Sequence, residues 1–297
     1  MTEAVRESSV NVGALTLPTR EAGPADGVPV VLLHGFPDCL RSFDAQLVAL
    51  GAAGYHAIAP AMRGYAPAAI PSDGDYHVAT LAEDLVAVLD ALGLPRAHLV
   101  GHDWGAVTGW MAVAMAPSRL ASFTSLAIPP LGGMGRALLR YPGQVRKSWY
   151  IGFFQLRGVA DRAVAKDDYA FIERLWRDWS PGWSAPAEVM EHVKATFRQP
   201  GVARAALGYY RCLFDLGSPA NRRGQRLVRA PIDVPVLAMH GRDDGCMDAR
   251  LPRAALKEHQ LRRGIELVTI ENAGHFLHLE QPERVSARIV DFVRACP

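Results

Sequence analysis

One six-residue segment restricts the possible folds of this chain more than any other feature. Residues 101–106 read GHDWGA; they follow an aliphatic segment, 97–100, and precede a segment, 107–115, in which apolar residues recur at helical spacing. Small residues at positions 101, 105 and 106 leave room for a sharp turn from a strand into a helix. We therefore expect a strand, a tight turn and a helix, with the side chain of Asp103 projecting over the edge of a sheet.

Other segments repeat this alternation of strands and helices. Short β-branched or aliphatic segments that end near a Gly, Pro or His predict buried strands, and residues 78–92 predict an amphipathic helix that ends at Gly93 and Pro95. This alternation is typical of the α/β class, with a mostly parallel central sheet flanked by helices. The predicted strands are residues 28–33, 56–59, 97–100, 120–128, 234–240 and 265–270.

The stretch between the predicted strands 120–128 and 234–240 breaks this rhythm, because it contains helical patterns and no convincing strand. We predict a core domain of residues 1–129 and 229–297, with residues 130–228 inserted as a helical cap over the carboxyl edge of the sheet. Ligands bind at that edge in open α/β sheets. Aromatic cap residues that predict an apolar pocket are Trp149, Phe153, Phe154, Trp176, Trp179, Trp183 and Phe214.

The composition argues against several classes of function. The 32 basic and 30 acidic residues are interspersed and give a formal charge of +2, so no basic stripe is available for nucleic acid. No run of about 18 apolar residues occurs, and Glu3, Arg6 and Glu7 interrupt the N-terminal stretch, so we expect a cytoplasmic protein outside the membrane. The four widely spaced cysteines are expected to be free thiols. Small neutral ligands are the expected partners, and a homodimer is the default oligomer.

Asp103 occupies a position that serine takes in most turns of this kind. A carboxylate can displace a leaving group at an sp³ carbon and form an alkyl ester with the enzyme, which water then cleaves. Epoxides and alkyl halides are substrates of this type. The alternative is an ordinary solvated or helix-capping aspartate, but the location between a strand and a helix favours the nucleophile.

A second segment, residues 34–37 (HGFP), directly follows the predicted strand 28–33. Its glycine permits a turn and its proline fixes the turn. The backbone amides of Phe36 and Trp104 could then form an oxyanion hole for the tetrahedral intermediate of ester hydrolysis. Taken alone, HGFP is equally compatible with a plain turn at the end of a strand.

A third segment, residues 272–276 (NAGHF), lies after the last predicted strand and predicts His275 as a general base. Asp243 and Asp244 compete as the acid that orients this imidazole. We choose Asp244 because the spacing G-x-x-D after its strand matches the hydrolase pattern. The order Asp103, Asp244, His275 agrees with the hydrolase order of nucleophile, acid and histidine. A structural role is the alternative for His275, and also for His102, His240 and His278.

Together these segments resemble the α/β-hydrolase superfamily, and within it the epoxide hydrolase family. HGFP at 34–37, MRGY at 62–65, GHDWG at 101–105 and AGHF at 273–276 each resemble the family pattern at the expected place, and the resemblance covers nearly the whole chain. The chain departs from the family in two places. Alanines flank MRGY where the family often has D-x-R-G-Y-G, and the residues after Asp244 are Gly245-Cys246-Met247 instead of a more usual apolar or proline-containing turn.

The resemblance implies two cap tyrosines that hydrogen-bond the epoxide oxygen and protonate it as the ring opens. Residues 148–155 (SWYIGFFQ) resemble the first tyrosine segment and point to Tyr150. Residues 209–211 (YYR) resemble the second segment. There we choose Tyr210 over Tyr209, because the family's tyrosine directly precedes the arginine.

The implied activity is that of an epoxide hydrolase, which adds water to a small apolar epoxide through an ester on Asp103 and releases a vicinal diol. The reaction requires no metal and no organic cofactor. A haloalkane dehalogenase is the nearest alternative, because the indole N–H of Trp104 could bind halide. A non-catalytic ligand-binding protein on the same fold is the alternative from a different class.

Overall fold

The computed structural model describes residues 5–257 and 260–296, and within them eight strands form one sheet. The strands are Arg6–Val12 (β1), Leu15–Ala22 (β2), Pro29–Leu33 (β3), His56–Pro60 (β4), Ala97–His102 (β5), Leu120–Leu126 (β6), Val236–Gly241 (β7) and Ile265–Ile270 (β8). Their order across the sheet is β1-β2-β4-β3-β5-β6-β7-β8. Strands β3 to β8 are parallel to one another, whereas β2 is antiparallel to both of its neighbours, β1 and β4. The predicted α/β class is confirmed.

Two features of the sheet differ from the predicted strands. The hairpin of β1 and β2 is absent from the predicted set, although Val10, Val12, Leu15 and Leu17 alternate with exposed or half-buried residues around a turn at Gly13. Strand β6 ends at Leu126 instead of residue 128, because Ala127 has a positive φ of 67° and leaves the extended conformation.

Helices cover both faces of the sheet. The described α-helices are Asp44–Ala52 (α1), Val78–Ala91 (α2), Trp104–Met115 (α3), Met134–Arg140 (α4), Gly143–Lys147 (α5), Trp149–Phe153 (α6), Val159–Trp179 (α7), Ala187–Arg198 (α8), Val202–Cys212 (α9), Pro219–Arg229 (α10), Leu251–Ala254 (α11), Leu277–Glu280 (α12) and Pro282–Ala295 (α13). Helix α2 matches the predicted helix, and α3 begins earlier than predicted, directly after Asp103. No described helix is long and apolar enough to cross a membrane.

Alternating residues of the central strands separate two apolar layers. Val31 and Leu33 of β3 pack in a layer that includes residues of α2, α3 and the helices between β6 and β7. Val30 and Leu32 point to the opposite face, where residues of α1 and α13 complete a second layer. The period of two along β3 therefore buries both faces of the sheet, as expected for a parallel sheet covered by helices.

The chain between β6 and β7 is helical and contains no strand. It runs from α4 to α10, and α7 is kinked where residues 166–169 leave helical backbone angles. Helix α10 returns to pack against α2 and α3 of the core. This segment carries the tyrosines considered below, whereas the turn at Asp103 belongs to the sheet. The boundaries 130–228 for a separate cap domain remain a prediction.

Candidate active site

The turn between β5 and α3 holds Asp103 in a conformation that few residues adopt. Its φ of 48° and ψ of −117° lie outside the favoured regions for a residue with a side chain. Close backbone contacts surround it: a Cβ added at Gly105 would lie 2.0 Å from the Leu33 carbonyl oxygen. A Cβ added at Gly35 would lie 2.4 Å from Cβ of Asp103. A side chain would therefore not fit at Gly35 or Gly105, and for Gly105 this agrees with the sequence prediction.

The carboxylate of Asp103 is buried but has polar partners. Its Oδ1 accepts a hydrogen bond of 2.8 Å from the backbone amide of Phe36, in the HGFP turn after β3. The peptide between Phe36 and Pro37 is cis. Trp104 is the first residue of α3, so its amide lies among the helix N–H groups that have no partner inside the helix. Of the two amides expected to form an oxyanion hole, only that of Phe36 donates to Asp103 among the described residues.

His275 reaches Asp103 from the loop after β8. Its Nε2 lies 3.5 Å from Oδ2 of Asp103, and its Nδ1 lies 3.0 Å from Oδ2 of Asp244. The imidazole therefore lies between two carboxylates. Its backbone amide donates to the carbonyl of Trp179, the last residue of α7, and to Oγ of Ser180, which follows the helix.

The two candidate acids differ clearly in position. Asp244 is 4% exposed, and its Oδ1 accepts hydrogen bonds of 2.7 Å from the amides of Cys246 and Met247. Its other oxygen faces His275. The side chain of Asp243 is exposed and is not hydrogen-bonded to His275. The geometry therefore brings Asp244 to the imidazole and leaves Asp243 in solvent.

Electrostatics make Asp103 and His275 an ion pair at neutral pH. Burial alone raises the pKa of the Asp103 carboxyl. The hydrogen bond and charge of His275, the charge of His102 and the Phe36 amide together outweigh burial and hold this pKa below its usual value. Burial alone lowers the pKa of His275, but the carboxylates of Asp244 and Asp103 raise it to about 10. The resting site thus offers an ionised carboxylate, which is the form a nucleophile requires.

The tyrosines predicted from the resemblance lie near this carboxylate. Tyr150 in α6 and Tyr210 in α9 are buried, and their rings meet nearly at right angles with centroids 5.6 Å apart. The Tyr150 hydroxyl lies 3.3 Å from Sγ of Cys246. The hydroxyl of the neighbouring Tyr209 donates a hydrogen bond to the carbonyl of Arg63, so its proton is already engaged. Burial raises the pKa of Tyr150 and Tyr210 well above its usual value, so both phenols keep their protons.

A cavity of about 730 Å³ connects these groups. Asp103 and Trp104 line it from the core, and Tyr150 and Tyr210 line it from the helical insertion. Its remaining lining is mostly apolar. The expectation that seven cap aromatics form this pocket is wrong for all but Phe214. Some of the others pack behind the site residues: the ring of Trp179 lies 5.0 Å from that of Tyr150 and 4.9 Å from that of His275. Trp176 donates to the carbonyl of Pro37 and supports the HGFP turn.

Several supporting residues carry no functional signal in the sequence. Ser180 accepts from the amide of His275 and donates to Glu280, and nothing in a helical stretch marks such a serine in advance. His102 is completely buried, and its Nε2 donates to the carbonyl of His275 at 3.0 Å. Arg63 of the MRGY segment pairs with Asp84, so this segment is structural.

Among the residues that the structure describes, two buried groups of side chains bring metal-ligating atoms within 4.8 Å of one another. One contains Asp244 and His275 together with Cys246, and the hydrogen bonds described above account for its arrangement. The other contains Asp38, His278 and His102, the residue that directly precedes Asp103. We assign a metal to neither group.

Comparisons with known proteins agree with the fold that carries this site. Residues 28–282 match the family model described as alpha/beta hydrolase fold. The AB hydrolase superfamily protein YfhM of Bacillus subtilis is 28% identical over 294 residues, which cover 98% of this chain and 99% of that protein. Epoxide hydrolase A of Mycobacterium tuberculosis is 32% identical over 327 residues, which cover 98% of each protein. The crystal structure of epoxide hydrolase A from Mycobacterium thermoresistibile superposes with a TM-score of 0.80 at 27% identity, covering 99% of each chain.

Proposed function

This chain belongs to the α/β-hydrolase family and, within it, to the epoxide hydrolases, and on this premise we propose that it hydrolyses epoxides through an alkyl ester on Asp103. The observation that carries the proposal is the position of this carboxylate. Asp103 lies at the cavity wall, 3.5 Å from the imidazole of His275, and shares the cavity with two protonated phenols. The mostly apolar lining favours a small apolar epoxide, with water as the second substrate.

The first step is alkylation of the carboxylate. Oδ1 of Asp103 is held by the Phe36 amide, so Oδ2 is the oxygen that bonds to an epoxide carbon while the carbon–oxygen bond of the ring breaks. The released oxygen takes a proton from Tyr150 or Tyr210, whose raised pKa keeps that proton available until charge develops. The product is a neutral alkyl ester on Asp103.

Ester formation changes the role of His275. The negative charge of Asp103 disappears, and with it one of the two carboxylates that raise the pKa of His275. The imidazolium can then return a proton to the tyrosinate and become a neutral base. It removes a proton from water, which attacks the ester carbonyl, and the amide of Phe36 donates to the oxyanion at Oδ1. Collapse breaks the bond between the carbonyl carbon and the alkyl oxygen, and the leaving diol takes a proton from His275. The carboxylic acid left on Asp103 then gives its proton to the neutral His275, which restores the carboxylate and the imidazolium of the resting site.

The decisive experiment traps the ester. We expect His275→Gln to react once with styrene oxide and to gain the mass of one epoxide, because the nucleophile remains while the base is lost. Intact-protein mass spectrometry measures the adduct, and Asp103→Asn serves as the control that gains no mass. Wild-type protein should form diol from styrene oxide. Halide release from 1-bromobutane without diol formation would instead indicate a dehalogenase, in which Trp104 binds the halide.

A further inference from the structure

The side chain of Cys246 contacts Tyr150, one of the two phenols proposed as proton donors. Its Sγ lies 3.3 Å from the hydroxyl oxygen of Tyr150, within the range of a hydrogen bond to sulfur. Both residues line the cavity that contains Asp103, and Cys246 is 1% exposed. Position 246 is also one of the positions at which the sequence departs from the family pattern.

We propose that Cys246 is a positioning residue for Tyr150: its thiol donates a hydrogen bond to the phenolic oxygen and thereby directs the phenolic proton toward the oxygen of the opening epoxide. This inference rests on the proposed function, in which Tyr150 acts as a proton donor. It concerns the step that opens the ring and not the later hydrolysis of the ester.

Either atom could be the donor at this distance, and the proposed role of Tyr150 requires the thiol to be the donor. A phenol that donated its proton to sulfur could not donate the same proton to the epoxide. Burial and the carboxylates of Asp244 and Asp103 raise the pKa of Cys246 well above its usual value, so the sulfur remains a thiol with a proton to donate. When Tyr150 turns its proton to the substrate, its oxygen lone pairs can accept from this thiol.

The backbone around Cys246 is fixed by the residue that orients the base. Asp244 uses Oδ2 for His275 and Oδ1 for the amides of Cys246 and Met247. A single carboxylate therefore places both the imidazole and the thiol. The Cys246 carbonyl accepts a hydrogen bond of 2.8 Å from Gln144 of α5, the helix that precedes the one carrying Tyr150. This contact ties the tyrosine-bearing segment to the loop.

The contrast with Tyr210 shows what the thiol adds. The Tyr210 hydroxyl has no well-formed hydrogen bond to a described residue, although the indole of Trp104 packs edge to face against its ring at 5.1 Å. Tyr150 has a sulfur partner at 3.3 Å. Among the described residues, Trp104 is the hydrogen-bonding neighbour of the Tyr210 hydroxyl, but without ordinary hydrogen-bond geometry. Tyr150 is therefore the phenol whose oxygen a well-placed neighbouring donor can hold.

The kinetic test separates ring opening from ester hydrolysis. In single-turnover experiments with styrene oxide, Cys246→Ala should slow formation of the ester by about fivefold, the effect of one modest hydrogen bond, and leave ester hydrolysis unchanged. Cys246→Ser should recover part of the rate, because a hydroxyl also donates. Cys296→Ala, which removes a buried thiol outside the cavity, should match wild type in both steps. In a Tyr150→Phe background, Cys246→Ala should have no further effect on ring opening.

An infrared measurement tests the contact without relying on turnover. Infrared spectra are recorded with the diol product of styrene oxide bound. The S–H stretching band of Cys246 is the band that is lost in Cys246→Ala. Tyr150→Phe should shift this band to higher frequency, because the thiol loses its acceptor. The positioning role would be overturned by an S–H band at the same frequency in the Tyr150→Phe protein. It would also be overturned if Cys246→Ala slowed ring opening equally with and without the Tyr150 hydroxyl. Failure of the function itself is distinguished by the absence of an ester adduct in His275→Gln.

Discussion

Nε2 of His275 lies 3.5 Å from Oδ2 of Asp103, so the basic group of the site is an ionic partner of its own nucleophile. The pair couples the two steps of the proposed reaction. While Asp103 is a carboxylate it stabilises the imidazolium, and when Asp103 becomes an ester this stabilisation is lost.

The first prediction concerns this coupling. Asp103→Asn should lower the pKa of His275 from about 10, because one of the flanking negative charges is removed. Nuclear magnetic resonance titration of the histidine imidazoles measures the shift. Asp243→Asn is the control: Asp243 is exposed, so its replacement should leave the pKa of His275 unchanged. A His275 pKa that is identical in the wild type and Asp103→Asn would contradict the coupling.

The second prediction separates the adjacent aspartates. Asp244→Asn should reduce the steady-state rate of diol formation by at least about a hundredfold, because the imidazole loses its charged orienting partner. Asp243→Asn should retain nearly full activity, since this side chain is exposed and lies outside the cavity lining. Steady-state kinetics with styrene oxide compare the two variants. The reverse order of activities would assign the acid to Asp243.

The third prediction separates the adjacent tyrosines. Tyr210→Phe should slow ester formation by roughly tenfold to a hundredfold, because it removes a cavity-lining phenol whose proton, unlike that of Tyr209, is not donated to a backbone carbonyl. Tyr209→Phe should instead lower the free energy of unfolding by about 1 kcal/mol, since it leaves the carbonyl of Arg63 without its donor. Single-turnover kinetics and urea unfolding measure the two effects. Slower ester formation in Tyr209→Phe than in Tyr210→Phe would reverse the assignment.

The fourth prediction concerns the close approach of Gly35 to Cβ of Asp103. Gly35→Ala should lower the melting temperature and the rate of ester formation together, because its Cβ would lie 2.4 Å from Cβ of Asp103 and must displace one of the two turns. Gly143→Ala is a matched control in α5, where an added Cβ meets nothing within 4 Å. Differential scanning calorimetry and single-turnover kinetics compare the variants. A Gly35→Ala protein with both properties unchanged would show that the close approach is not required.

The turn at Asp103 could be predicted from the sequence because its constraint is local. Small residues flank the aspartate at fixed positions, a strand pattern precedes it and a helical pattern follows it. The α/β class followed from the same alternation of patterns. The β1–β2 hairpin was missed because its short alternating segments pair mainly with each other at the edge of the sheet and include Pro18.

The choice within each adjacent pair required the tertiary structure. Successive residues of a helix point about 100° apart, so Tyr209 and Tyr210 in α9 face different surroundings even though their sequence context is nearly identical. Asp243 and Asp244 likewise share one loop, and only the fold shows that one side chain is buried against His275 while the other is exposed.

The sequence by itself determined the α/β class, the position of the strained turn and the small set of side chains able to perform ester chemistry, because these depend on spacing along the chain and on residue type. Only the tertiary structure decided which of these side chains meet, and it added the contact between Cys246 and Tyr150, which no local pattern indicates. The physical reason is that hydrogen bonds and pKa shifts act over a few ångströms in space, between groups that the chain brings together from distant loops and helices.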